Sequence, residues 1–296
     1  MPNFNLQYFN QRLSNTLIGT ILLILTYLFF SVMELTAKEL ALRFNPFLIV
    51  FARYLSQLIL LLIIFNKQFK THLKSNHKPL QILRGALLMI TTCFMFTGLA
   101  YLQFAENISI YMIGPVITTI LAILILKEKI SFTQILVVII GLVGALIIAS
   151  PNKGAFNYAV IFPFLAALCF AFFTISTKFL NTSDSNQTTL LFTAITGTIL
   201  SLPFIIYFWK WPNLNDAILM FCLGFLATAG HFLFIEALKV INASFAAPFV
   251  YLTVLLAAFW GYILYDEIPS QSTFIGAFLI ITSGFIITRF KKKNFK

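Results

Sequence analysis

Long apolar runs, separated by short polar breaks, extend along almost the whole chain. Each run is about twenty residues long, the length that a helix needs to cross the hydrocarbon core of a bilayer. Of the 296 residues, 60% are hydrophobic and only 10% are charged, whereas soluble domains contain roughly 25% charged residues. Because a soluble fold cannot bury so much apolar surface, the chain is predicted to be an integral membrane protein.

The polar breaks predict an all-α fold of ten transmembrane helices. Lipid-facing β-strands are disfavoured because the runs lack the alternating pattern of a membrane barrel. Residues 1–15 and 290–296 are predicted to be tails outside the membrane. The predicted helices cover residues 16–39, 46–66, 79–101, 106–126, 132–149, 157–178, 187–208, 216–238, 243–264 and 271–289.

The distribution of basic residues predicts the orientation of these helices. If both termini are cytoplasmic, most Lys and Arg residues, including those of the basic tail, lie on the cytoplasmic side. This distribution follows the positive-inside rule. We therefore expect a bacterial inner-membrane protein with cytoplasmic termini. The outer side then receives only Lys38, Arg43, Lys153 and Lys210.

Internal repetition indicates that the ten helices form two related halves. Residues 27–40 align with residues 167–180, and the acidic loop at Glu128 has a counterpart at Glu267. Five helices per half is an odd number, so the two halves must cross the membrane in opposite senses, as in many secondary transporters. Glu128 is then cytoplasmic and Glu267 external, and both are candidate structural or gating residues. The predicted repeats cover residues 16–149 and 150–289.

Charged residues inside predicted helices are candidates for substrate binding, because burying each one costs roughly 2.5 to 3.5 kcal/mol without a partner. Glu34 and Arg53 lie at similar depths in the first two helices, so they pair with each other, contact a substrate, or make neither contact. Lys38 either extends towards the outer surface or points into a cavity. His231 either packs against a neighbour or lines the pathway, where it could carry protons. Arg84 and Glu236 lie near the cytoplasmic boundary, where a surface ion pair is expected.

Aromatic and hydroxyl side chains in mid-helix are further candidates, because their polar ends need partners. Two prolines are expected to interrupt the fourth and ninth helices and to free backbone carbonyls near the midplane. The candidate cavity-lining residues are Tyr111, Thr118, Thr119, Thr174, Tyr251 and Trp260, and the prolines are Pro115 and Pro248.

No motif for catalysis, ATP binding or metal binding occurs in the sequence. His231 and Glu236 are five residues apart and so do not share one helix face, which disfavours a metal site. We therefore expect neither an enzyme nor a cofactor. The expected partners are a small-molecule metabolite and the lipid bilayer, without nucleic acid, and the expected state is a monomer or weak dimer.

Several short segments resemble the drug/metabolite transporter superfamily and its EamA-type members, over nearly the whole chain. The matching segments are Glu34 with Lys38, Phe51-Ala52-Arg53-Tyr54, Leu83-Arg84-Gly85, residues 115–128, Lys178, residues 247–251 and Glu267-Ile268-Pro269. The resemblance implies ten helices, cytoplasmic termini and a central cavity between the halves. It also implies a small-metabolite substrate, and the narrower similarity is to S-adenosylmethionine carriers of this family.

Together these observations predict a secondary transporter that works by alternating access and moves an amino acid, a nucleoside or an S-adenosylmethionine-like molecule. In this hypothesis Arg53 and Lys38 bind an anionic group, while Tyr111, Tyr251 and Trp260 stack on an apolar portion. A non-transporting membrane subunit and a membrane-embedded lipid enzyme are the alternatives. The sequence leaves the direction of transport and the coupling ion open.

Overall fold

The protein is helical throughout the part of the chain that the computed structural model describes, residues 6–102, 104–149, 158–265 and 271–290. No β-strand occurs in these ranges, so the prediction of an all-helical fold is confirmed. The helices are α1 (Leu6–Ala41), α2 (Pro46–Phe65), α3 (Phe69–His72), α4 (Lys78–Tyr101), α5 (Phe104–Tyr111), α6 (Gly114–Leu124), α7 (Phe132–Ala149), α8 (Ile161–Leu180), α9 (Asn186–Phe208), α10 (Leu214–Val240), α11 (Ala243–Ala246), α12 (Leu252–Tyr265) and α13 (Gln271–Phe290).

Seven helical segments within the described ranges are long and apolar enough to cross a membrane. They are Asn15–Ala41, Pro46–Phe65, Lys78–Gly98, Tyr158–Leu180, Asn186–Phe208, Leu214–Val240 and Ala243–Leu264. Three apolar helices are shorter, namely Gly114–Leu124, Phe132–Ile147 and Phe274–Ile286. The chain is therefore a multi-pass membrane protein.

Polar caps and prolines determine where several helices begin. The side chains of Asn45, Ser185 and Asn213 each accept a hydrogen bond from a backbone N–H in the first turn of α2, α9 and α10, which satisfies a donor that the helix itself leaves unpaired. Pro115 lies in the first turn of α6, after the break that separates α5 from α6. Pro248 lies in a 3₁₀ segment, Ala247–Tyr251, that joins α11 to α12. Both prolines thus lie at helix interruptions.

The packing of the helices brings distant parts of the sequence together. Helix α1 packs along α10, α4 along α8, and α7 along α13, while α2 lies against both α9 and α10. The approach of α2 to α10 is close because Gly224 faces the backbone of α2 at Ser56 and Gln57. The Ser56 hydroxyl oxygen lies 3.0 Å from the Met220 carbonyl oxygen of α10 and 2.7 Å from the Ala52 carbonyl oxygen of its own helix.

Polar contacts between loops identify the two ends of the bundle. At one end, here called the Arg43 end, Arg43 forms an ion pair of 3.0 Å with Asp216, and Lys210 donates to the Arg43 carbonyl oxygen. At the opposite end of α2 lies the loop of residues 66–77, which contacts the loop of residues 181–185. We call this second end the Asp184 end.

Asp184 connects the two loops at its end of the bundle. Its carboxylate accepts hydrogen bonds from Ser75 Oγ at 2.5 Å, Gln81 Nε2 at 2.8 Å and the Asn76 backbone N–H at 3.2 Å. Partial burial acts to raise the pKa of Asp184, but these hydrogen bonds outweigh it and lower the pKa below its ordinary value. The carboxylate form of Asp184 therefore helps to hold the two loops together.

Candidate functional site

A cavity lies between α1, α2, α4, α5, α8 and α10, with Val250 and Thr253 completing its wall. The space between protein atoms in this region, including the part that is open to solvent, is about 790 Å³. Its wall extends from the middle of the helices, at His231 and Phe170, towards the Arg43 end, at Glu34 and Phe96. The cavity thus enters the bundle to about half its depth.

Arg53 on α2 is the centre of the polar part of this wall, and it is fully buried, with 1% of its surface exposed. Its Nη1 donates to Thr92 Oγ1 on α4 at 2.7 Å and to Tyr54 Oη at 3.1 Å. Its Nη2 lies 2.9 Å from Nε2 of His231 on α10. None of these partners is a carboxylate, so Arg53 has no ion-pair partner in the described part of the chain.

The hydrogen bond between Arg53 and His231 fixes the protonation of the histidine. A guanidinium only donates, so His231 Nε2 must be the acceptor and the ring proton must lie on Nδ1. Neither His231 Nδ1 nor Arg53 Nε has a hydrogen-bond partner among the described residues, and both atoms are buried. Because an unsatisfied buried donor costs about 1 to 3 kcal/mol, these two N–H groups favour an acceptor-bearing ligand.

Glu34 on α1 lines the same cavity, but it does not form the ion pair with Arg53 that the sequence suggested. Among the described residues, no hydrogen bond or ion pair is found for the Glu34 carboxylate. The reason is the packing of the helices, because α2 lies against α9 and α10 and has few contacts with α1. Glu34 and Arg53 thus line the same cavity without forming an ion pair.

Five aromatic side chains also line the cavity. Tyr111, one of the predicted residues, lies at 6.0 Å from the Phe170 ring between ring centroids. Phe30 packs against the His231 ring at 4.7 Å. With Tyr27 and Phe96, these rings provide flat apolar surfaces on which a planar ligand group can stack. Polar binding groups and stacking surfaces thus occur in one cavity.

Six other predicted cavity residues lie outside the wall as described, and two of them, Thr118 and Thr119, belong to α6. Thr174 donates to the Phe170 carbonyl oxygen of its own helix, at 2.9 Å. The hydroxyl of Tyr251 donates to the Val138 carbonyl oxygen at 3.1 Å and so fastens the 3₁₀ segment to α7. Trp260 Nε1 donates to Ser31 Oγ at 3.1 Å and connects α12 to α1. Lys38 is half-buried near the end of α1 and is likewise absent from the described wall.

Glu128 stabilises a helix terminus at the Asp184 end. Its carboxylate accepts hydrogen bonds from the backbone N–H groups of Ala243 and Ser244, at 3.0 and 3.1 Å, and from Ser244 Oγ, at 2.5 Å. These donors belong to the first turn of α11, where a carboxylate also interacts favourably with the helix dipole. Its predicted counterpart, Glu267, lies outside the described residues.

The expected surface pair of Arg84 and Glu236 is wrong. Arg84 on α4 is completely buried, and Glu236 instead pairs with Lys239, at 3.3 Å, and with Asn186. Arg84 Nε donates to Thr177 Oγ1 at 2.7 Å, and Nη1 donates to Thr193 Oγ1 at 2.5 Å. The position near a helix end suggested exposure, but α8 and α9 cover α4 at this depth.

The sequence contained a signal for the environment of Arg84. Thr189 and Thr193 are four residues apart on α9, so they lie on the same face, and Thr177 lies on the neighbouring α8. Hydroxyl groups arranged in this way on apolar helices indicate a buried hydrogen-bonding partner. No comparable signal indicated Thr92, the partner of Arg53, because many other hydroxyl residues occupy similar positions.

The EamA-like transporter family model matches this chain twice, over residues 17–150 and 157–289. A protein from Rickettsia bellii that is named an S-adenosylmethionine uptake transporter is 30% identical over 96% of this chain and 98% of its own length. A riboflavin transporter from Vibrio cholerae is 27% identical over 72% of each chain.

A protein of known crystal structure has the same fold, with a TM-score of 0.80, 16% identity and coverage of 96% of this chain and 99% of that one. The resemblance seen in the sequence motifs is thus confirmed. The chain belongs to the EamA-like transporter family.

Proposed function

We propose that this protein is a secondary transporter that carries a zwitterionic metabolite, with S-adenosylmethionine as the leading candidate, across the bacterial inner membrane. The observation that carries the proposal is that side chains of opposite charge line one cavity without pairing with each other. Arg53 and His231 line one part of the wall, and each has a buried N–H group without a partner in the described part of the chain. Glu34 lines another part, and its carboxylate has no partner there either.

A substrate that has both an anionic and a cationic group satisfies these side chains together. The carboxylate of an amino-acid moiety would accept hydrogen bonds from the Arg53 guanidinium, which is the strong charge-assisted type. The ammonium or sulfonium group would lie near Glu34. The unpaired charges are therefore compensated only when the substrate is bound, so binding the zwitterion is favoured over an empty cavity.

The aromatic wall favours a substrate with a flat ring. S-adenosylmethionine combines an adenine ring with an amino-acid carboxylate, an ammonium group and a sulfonium group. The Rickettsia bellii relative is named an S-adenosylmethionine uptake transporter. In our proposal the adenine stacks among Tyr111, Phe170 and Phe30. Riboflavin, named for the Vibrio cholerae relative, has a ring of this kind but lacks the zwitterionic group that would use Glu34 and Arg53 together.

We propose that transport occurs by alternating access between two inverted halves of five membrane-spanning helices, with both termini cytoplasmic. In this arrangement α5 with α6 forms the fourth span, and α11 with α12 forms the ninth. The helix packing supports two related halves. In this arrangement α1 corresponds to α8, and α4 corresponds to α10, so the packed pair α1–α10 of one combination matches the packed pair α8–α4 of the other. The described cavity wall lies nearer the Arg43 end than the Asp184 end, which supports one of two alternating states.

The test is uptake of radiolabelled S-adenosylmethionine into liposomes that contain only this protein. Uptake into such liposomes would also separate a transporter from a lipid enzyme and from a subunit without transport activity. Replacement Arg53→Met removes the guanidinium but keeps an apolar side chain in the wall. Because hydrogen bonds to charged groups contribute about 1.5 to 3 kcal/mol, we expect KM to rise by about tenfold to a hundredfold.

Glu34→Gln provides a second test, and Glu39→Gln provides its matched control. Glu39 lies on the same helix but is absent from the described cavity wall. We expect Glu34→Gln to weaken uptake and Glu39→Gln to leave it close to the wild-type value. Equal uptake by the wild-type protein, Arg53→Met and Glu34→Gln would refute the binding roles. No uptake by the folded wild-type protein would refute the proposed substrate.

A further inference from the structure

Arg84 is a second buried arginine, located about 9 Å from the Asp184 end of α4 if each of the six residues from Lys78 adds 1.5 Å. It has no exposed surface. Its protein partners are Thr177, Thr193 and the Thr189 carbonyl oxygen, the last at 3.5 Å. None of these groups carries a charge.

The hydrogen-bond partners of Arg84 leave part of its binding capacity unused. The hydroxyls of Thr177 and Thr193 donate their own protons to backbone carbonyls and therefore accept from Arg84. Arg84 Nη2 is buried and has no acceptor among the described residues. A buried cation with neutral partners and one free donor group is a favourable site for an anion.

An aromatic layer separates Arg84 from the cavity. The Arg84 Cζ atom lies 4.4 Å from the centroid of the Phe173 ring. The same ring contacts His231 at 5.7 Å and Phe234 at 6.1 Å between centroids. Because His231 bonds to Arg53, the two arginines are connected through one histidine and one phenylalanine. Phe173 and Arg84 are not in the described cavity wall, which ends at His231 and Phe170.

Polar groups continue from Arg84 to the Asp184 end. Thr189, whose carbonyl oxygen accepts from Arg84, also accepts at its hydroxyl from Gln81 Nε2, at 3.1 Å. Gln81 in turn donates to Asp184, which holds Ser75 of the neighbouring loop. A row of hydrogen-bonding groups thus connects the buried arginine with the end of the bundle that the cavity does not reach.

We propose that Arg84 is a second binding residue for the carboxylate of the transported zwitterion. It binds the carboxylate when the protein is open towards the Asp184 end, whereas Arg53 binds it when the protein is open towards the Arg43 end. Movement of the Phe173 ring lets the carboxylate pass from one arginine to the other. This inference rests on the proposed transport of S-adenosylmethionine.

The experiment compares S-adenosylmethionine with its decarboxylated analogue, which lacks only the carboxylate. KM is measured for both compounds, from each membrane face, in vesicles of the two orientations. Loss of a direct contact with the carboxylate affects only the first compound, whereas a structural defect affects both. For Arg84→Met we expect KM for S-adenosylmethionine to rise tenfold or more at the Asp184 face. The analogue should change by less than about twofold.

Two matched variants complete the test. Arg53→Met should show the opposite sidedness, with the larger rise in KM at the Arg43 face. Thr193→Val keeps the shape of the side chain but removes one hydroxyl that positions Arg84, and we expect a smaller rise of about threefold to tenfold at the Asp184 face. Thr193→Val keeps the inference testable if Arg84→Met does not fold, and Arg84→Lys provides a further charged variant.

The outcomes distinguish this inference from the proposed function. If the wild-type protein does not transport S-adenosylmethionine, both are wrong. If it does, but the Arg84 and Thr193 variants weaken S-adenosylmethionine and the analogue equally at both faces, Arg84 only holds helices together and this inference alone is wrong. A carboxylate-specific effect of these variants that is confined to the Asp184 face supports it.

Discussion

The contact between α2 and α10 at Gly224 allows a quantitative prediction for Gly224→Ala. A Cβ atom at this position would lie 2.2 Å from Ser56 Oγ and 2.4 Å from the Gln57 backbone nitrogen. Ordinary van der Waals contact begins at 3.4 Å, so the helices must separate by about 1 Å at this point. The backbone nitrogen cannot rotate away as the end of a flexible side chain would.

This separation has an energetic cost. Overpacking of a close contact costs about 1 to 3 kcal/mol. The contact of Ser56 Oγ with the Met220 carbonyl oxygen would lengthen from 3.0 Å towards 4 Å, but the hydroxyl proton keeps an acceptor because Oγ lies 2.7 Å from the Ala52 carbonyl oxygen. We therefore expect Gly224→Ala to destabilise the protein by about 1 to 3 kcal/mol. His231 lies two turns further along α10, so its contact with Arg53 should weaken as well.

Thermal unfolding of the purified protein in detergent, followed by tryptophan fluorescence, measures the effect. For a chain of this size, about 2 to 4 °C in Tm corresponds to 1 kcal/mol, so we expect Tm to fall by about 2 to 12 °C. Gly284→Ala is the matched control, because no described atom outside its own stretch of helix lies within 4 Å of the added Cβ. A Tm of Gly224→Ala equal to the Tm of Gly284→Ala and of the wild type would refute the reasoning.

Three further predictions concern the Asp184 end. The lowered pKa of Asp184 implies a stability contribution that is present above its ordinary pKa and is lost as the pH falls through the lowered value. Asp184→Asn should therefore remove part of the decrease of Tm in acid, and an unchanged pH profile of Tm would contradict this. Lys178 donates to two carbonyl oxygens at the end of α10, at 2.6 and 2.7 Å, so Lys178→Met should lower Tm by several degrees, whereas the exposed Lys239→Met should change it little. Glu128→Ala leaves the first turn of α11 without its cap and should lower the free energy of unfolding by about 1 to 3 kcal/mol, as measured by chemical denaturation. Glu128→Gln should lower it less, because the amide oxygen of Gln still accepts a hydrogen bond.

The helices and the location of Arg53 were predictable from the sequence for a simple physical reason. An apolar run of bilayer length has few alternatives to a helix, and a charged residue within it must have a function or a partner. Arg53, Glu34 and His231 were selected as ionisable residues, and Tyr111 was selected because the polar end of its ring needs a partner. The structure brings all four to one cavity.

The partners of these residues were not predictable, because they depend on which helices touch. The sequence suggested Glu34 for Arg53 since the first two helices are consecutive, but the contacts come from α4 and α10. Tyr251 and Trp260 illustrate the same difficulty. Each has a polar end that needs a partner, yet hydropathy does not show which helix face points to a cavity and which to a neighbouring helix.

The long sequence separation between the buried arginines and their partners affects how the protein is made. His231 follows Arg53 by 178 residues, and Thr177 and Thr193 follow Arg84 by 93 and 109 residues. At about 5 to 20 residues per second, Arg53 waits on the order of 10 to 35 seconds during synthesis before its histidine leaves the ribosome. During this interval Arg53 has only its nearer acceptors, Tyr54 and Thr92. Arg84 likewise precedes both of its threonine acceptors in the nascent chain. Water, lipid headgroups or the insertion machinery must solvate the two arginines until the second part of the chain arrives.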